Sequence, residues 1–138
     1  MRRRAREVSF QTIFQLDVGK TDKELVLDIM AGDNGLDEKE RKYLYHTVNT
    51  WAAHREEIDR VISSFLKKEW SLDRLGSAEK NLLRLGTLEI LYMDDIPSSV
   101  AIDEAIELTK VFGDEKAAGL VNGILDKIAR NKAEKTNE

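Results

Sequence analysis

Apolar residues return every three or four positions from one end of this 138-residue chain to the other, and no stretch alternates as a strand would. The pattern predicts an all-α protein of seven helices. The first covers 3–18, with Ala5, Val8, Ser9, Thr12 and Leu16 as its inner stripe and Ile13 on the margin. Arg3, Phe10 and Phe14 fall on another side, where Phe14 lies in line with Arg3 and beside Gln11. Gly19 closes this helix, and Thr21 with Glu24 reads as a capping box opening a second, whose inner face is Leu25, Ile29 and Met30. After a turn over 32–35, Asp37 and Glu40 repeat the cap logic ahead of Tyr43, Leu44, Thr47, Val48 and Trp51. A break near His54 and Arg55 precedes a fourth stripe of Ile58, Val61, Ile62, Phe65 and Leu66.

Residues 70–76, beginning at Trp70, read as a connector and a subdomain boundary. Ser77 is placed to cap a fifth helix carrying Leu82, Leu83, Leu85, Leu88, Ile90, Leu91 and Met93. These point nearly all round the axis, so this helix is expected to be central and largely buried. Pro97 breaks it. Val100, Ile102, Ala105, Ile106 and Phe112 make the sixth stripe, which Gly113 stops. Asp114 caps the last helix, with Ala117, Leu120, Val121, Ile124, Leu125 and Ile128 inward. Gly123, costly within a helix, is expected to permit a close helix crossing. One domain is expected over 1–131, with subdomains at about 1–54 and 55–131 and a polar, frayed tail over 132–138.

Composition sharpens this picture at one place. The chain carries 22 Lys and Arg against 26 Asp and Glu, a net charge of −4, yet Arg2, Arg3, Arg4 and Arg6 crowd into the first turns. Guanidinium groups fork onto phosphates and stack on bases, so the cluster points to local contact with nucleic acid rather than to wrapping a long stretch of it. A solvated basic tip is the plain alternative. Phe14 beside the arginines makes a candidate base-stacking platform, and packing of Phe10 and Phe14 on a neighbouring helix is the alternative there.

Other chemistry finds little support. With no cysteine and only His46 and His54, neither disulfides nor a metal site are expected. Phosphate-binding glycine loops and the GxSxG elbow do not occur. Adjacent carboxylates such as Asp94 and Asp95 read as solvated charge. No apolar run would span a bilayer, and the basic start lacks the apolar segment of a secretory signal, so a cytoplasmic binding module without cofactor or catalysis is expected.

Five segments carry a resemblance: RRRARE at 2–7, WSLDRL at 70–75, EKNLLRLGTLEIL at 79–91, IPSSVAIDEAIELTKVFG at 96–113 and VNGILDKIA at 121–129. In this order and spacing the chain resembles the NusB family of bacterial transcription antitermination factors over nearly its whole length. The resemblance implies seven helices in two perpendicular bundles, three helices in one and four in the other. It implies binding to single-stranded boxA leader RNA of ribosomal RNA operons, with the small-subunit ribosomal protein that serves as NusE. It also implies action on the elongating RNA polymerase with the other Nus factors.

The same resemblance implies the site. The arginine-rich start maps onto Arg2, Arg3, Arg4 and Arg6, and the first helix adds Gln11 and Phe14. A second RNA-contacting stretch falls at 115–120, where Lys116 and Leu120 replace an acidic or polar residue and an aromatic found in relatives. Glu79 and Arg84 fall where relatives meet the ribosomal protein, with a structural salt bridge as the alternative for Arg84. Two further readings stay open: a domain like that at the start of ribosomal RNA cytosine methyltransferases, here without a methyl-donor loop or catalytic cysteine, and a homodimer that hides the arginine-rich face.

Overall fold

The computed structural model describes residues 2–67 and 71–136; Trp70 lies outside them. It has seven α-helices, one 3-10 turn and no strand among the described residues: α1 Arg2–Val18, α2 Lys23–Asp33, α3 Glu38–Ala53, α4 Arg55–Ser64, α5 Ser77–Tyr92, α6 Ser98–Phe112 and α7 Glu115–Thr136, with the 3-10 turn at Leu72–Arg74. The helices divide into two compact units, Met1–Ala53 and His54–Glu138.

In the first unit, α1 lies against both α2 and α3. Its buried face is therefore wider than one stripe, and Ile13 and Phe10 join Ala5, Val8 and Leu16 in the core. Ser9 and Thr12 are buried without cost to hydrogen bonding, because their hydroxyls donate to the Ala5 and Val8 carbonyls at 2.7 Å. From α3, Tyr43, Leu44, Thr47, Val48 and Trp51 are all buried, as the periodicity requires. The Asp37–Glu40 capping box forms in both directions, with the Glu40 amide donating to Asp37 at 2.8 Å and the Asp37 amide donating to Glu40 at 3.1 Å.

Helix α2 departs from expectation twice. Asp22, not Thr21, is its N-cap, its carboxylate accepting from the Glu24 amide at 2.9 Å. Its inner face is Val26, Leu27 and Ala31, while Leu25 and Ile29 are 55% and 48% exposed. The run LVLDIMA is apolar on nearly every side, so periodicity left its rotation undetermined.

In the second unit α5 is enclosed by α4, α6 and α7, and every residue from Asn81 to Ile90 is buried. Gly76, rather than Ser77, is its N-cap. Gly86 is the point of close approach: a Cβ there would meet Leu125 Cδ1 at 2.6 Å. The crossing expected at Gly123 is thus found at Gly86 instead, and a Cβ on Gly123 would meet nothing within 4 Å. In α6 the buried line is Ala101, Ala105, Leu108 and Thr109, and Val100, expected inside, is 40% exposed. Asp114 caps α7 by accepting from the Lys116 amide at 3.1 Å. The expected frayed tail is helical as far as Thr136, and Lys132 Nζ donates to the Ile90 carbonyl at 2.5 Å.

The two glycines should separate cleanly on mutation. Gly86→Val is expected to lower stability by about 1–3 kcal/mol through overpacking against Leu125. Gly123→Ala should raise it by about 1 kcal/mol through helix propensity. Urea unfolding followed by circular dichroism checks both.

Candidate nucleic-acid interface

The arginines of the first turns are built for different tasks. Arg2 opens α1, and its side chain lies outside the described residues. Arg3 and Arg4 are exposed. Arg4 Nη2 donates to the Asn34 carbonyl at 2.6 Å, which places its cation at the C-cap of α2. Arg6, expected at the surface, is only 3% exposed. Its guanidinium carbon lies 5.9 Å from the centroid of the Tyr43 ring, in cation–π range. Burial against α3 leaves little of its guanidinium open to solvent.

Farther along the outer side of α1, Gln11 and Phe14 are half-buried. Phe10 is buried and packs edge-on to Phe14, with ring centroids 6.1 Å apart and planes at 69°. The packing alternative is met by Phe10. Phe10 is core, and it fixes the pose of a Phe14 ring that keeps part of its surface in water.

In the second unit, Lys116 and Leu120 are exposed on the opening turns of α7, where Leu120 retains 36% of its surface. They line a groove of about 600 Å³ together with Glu79. Its described rim carries four cations, Lys67, Arg74, Lys116 and Lys127, against the carboxylates of Glu79 and Asp114. That excess of positive charge sits on a chain of net charge −4. Gly119 and Gly123 border the groove and expose helix backbone, since a Cβ on either meets nothing within 4 Å. Sequence reasoning missed Lys67, Arg74 and Lys127. Lys127 had a legible signal, because 116, 120, 123 and 127 share one face of a helix.

Arg84 does not join this groove. It is 6% exposed, and its Nε and Nη2 fork onto the Asp59 carboxylate at 2.8 and 2.9 Å, while Nη1 donates to Asn81 Oδ1 at 2.9 Å. Its donors form the salt bridge between α4 and α5 that stood as the alternative reading of Arg84.

The NusB family model matches residues 3–130. The chain belongs to the NusB family. Among its relatives, the transcription antitermination protein NusB of Oceanobacillus iheyensis is 46% identical over 129 residues, covering 92% of this chain and 97% of that protein. The NusB protein of Desulforamulus reducens is 41% identical over 133 residues, covering 96% and 92%. The solved structure of T. maritima NusB superposes with a TM-score of 0.87 at 40% identity, covering 94% of this chain and 91% of that one. A crystal structure of the antitermination factors NusB and NusE in complex with double-stranded RNA matches with a TM-score of 0.86 at 29% identity, covering 94% and 96%.

Within this NusB-family chain the Arg84 fork has a direct test. Arg84→Ala should destabilise the protein by about 2–3 kcal/mol, because it strands part of a charge-assisted network. The half-exposed Asp59, at 35% side-chain exposure, keeps the loss below that of a fully buried pair. A shift of the urea midpoint at constant slope is the expected readout.

Proposed function

We propose that this protein is a non-catalytic RNA-binding antitermination factor. It binds boxA leader RNA together with the ribosomal protein NusE and acts on the elongating RNA polymerase. The observation that carries the reading is the Phe14 ring, half-exposed and braced by Phe10, on the same helix side as exposed Arg3. A ring and a guanidinium along one helix side suit an unpaired base and a phosphate of the same strand, which single-stranded RNA presents without a cost of unpairing. The relatives named as antitermination proteins, and the fold-mate solved with NusE and RNA, support this assignment.

Arg3, Gln11 and Phe14 form the grip on α1, and Lys116 and Leu120 contribute a second contact at the start of α7. Lys116 supplies attraction for phosphate beside a helix N-terminus, while Leu120 offers apolar contact in place of stacking. Glu79, at the edge of the cationic groove, belongs to the surface that receives NusE. Simultaneous binding of RNA and NusE raises the affinity of an assembly whose separate contacts are small. The near-complete coverage of curated NusB proteins supports this adaptor reading over a methyltransferase domain.

Gel shifts with boxA RNA and a scrambled control, with and without NusE, test the proposal. Phe14→Ala should weaken boxA binding by about 1–3 kcal/mol while leaving helical content unchanged. Lys116→Ala should reduce the salt slope of binding by roughly one. Equal affinity for boxA and scrambled RNA, with NusE present, would overturn the boxA assignment.

A further inference from the structure

A cation on the same turn as Arg3 is spent on the protein itself. Arg4 Nη2 donates to the carbonyl of Asn34, the C-cap residue of α2, at 2.6 Å across 30 residues of sequence. That carbonyl is held in place by a tight local network. The Asn34 side-chain amide donates to the Met30 carbonyl at 2.8 Å, the Gly35 amide to Gly32 at 3.1 Å and the Leu36 amide to Ala31 at 3.2 Å. The turn depends on Gly35, the one described residue with positive φ, at 59°. Oriented carbonyls at a helix C-terminus attract a cation, so the end of α2 and the first turn of α1 fix one another.

We propose that Arg4 is a positioning residue, and that the capped turn at Asn34–Gly35 belongs to the RNA-binding apparatus although it touches no RNA. The inference rests on the RNA-binding reading above. Arg4 tethers the first turn of α1, so that neighbouring Arg3 meets a phosphate while Phe14, farther along the same helix, meets a base of the same strand. Without the tether that turn frays, as helix ends do, and affinity falls because the contacting groups must be ordered on binding.

The turn can be disturbed without touching any charge. A Cβ at Gly35 meets nothing within 4 Å, so Gly35→Ala perturbs only the backbone conformation that the cap requires. Asn tolerates positive φ, so Gly35→Asn should restore the turn. RNA binding of the full chain with NusE is measured by fluorescence anisotropy over a potassium chloride series, using labelled boxA RNA. Thermal melting confirms that each variant is folded.

Arg4→Gln and Gly35→Ala should each weaken binding roughly two- to fivefold. The slope of log affinity against log salt should stay unchanged in both. Gly35→Asn should bind like the parent. The double variant Arg4→Gln/Gly35→Ala should lose less than the product of the single losses, because both break one connection. Arg3→Ala, the contact control, should lower the salt slope by roughly 0.7–1.

A fall of that size in the slope of Arg4→Gln would make Arg4 a phosphate contact and overturn the proposal. Parental affinity in a folded Gly35→Ala would overturn it too. Should Gly35→Ala not fold, the slope of Arg4→Gln decides alone. Failure of the parent protein to prefer boxA would instead strike the RNA-binding reading, which separates the two.

Discussion

Burying the middle ten residues of one helix is the constraint around which the second unit is arranged. Ten consecutive residues of α5 lie in the interior, and among them are Asn81, Arg84, Thr87 and Glu89. A guanidinium removed from water is tolerable only when its donors are met, and Asp59 and Asn81 meet those of Arg84. The same interaction ties α4 to α5. On another side of α5 the missing side chain of Gly86 admits Leu125, bringing α7 close. At the far end Lys132 of α7 reaches the Ile90 carbonyl. The groove that carries Lys116, Leu120 and Glu79 is framed by helices whose positions follow from these contacts.

The first unit solves a different problem with similar means. Its leading helix is basic and yet must be anchored. Arg6 serves the interior through the ring of Tyr43, and Arg4 serves the end of α2. Two of the four arginines are therefore engaged within the fold. These contacts hold the start of α1, and Arg3, Gln11 and Phe14 lie along the helix's outer side.

The helices were readable because amphipathic periodicity, proline and glycine punctuation and capping residues agree at most boundaries. The reciprocal cap of α3 and the burial of most of α5 followed directly from residue type and spacing. What periodicity could not supply was rotation where apolar residues surround the axis, as at Leu25 and Ile29, or the partner of a small residue. Gly86 and Gly123 look alike in sequence, and only three-dimensional packing shows that one meets Leu125 and the other meets solvent. At the candidate site, α1 was legible through its charge and its helical wheel. The inward turn of Arg6 and Arg84 was hidden, because their partners Tyr43 and Asp59 lie 37 and 25 residues away in sequence.

The order of helices also matters while the chain is being made. The core of the first unit closes within residues 1–53, so α1, α2 and α3 can pair as soon as they leave the ribosome. Helix α5 has no such early shelter. Its apolar circumference emerges well before α7, which must follow to insert Leu125 over Gly86 and to seat Lys132 at the helix end. During vectorial synthesis the first half can consolidate early, while the second waits with its most water-averse segment uncovered.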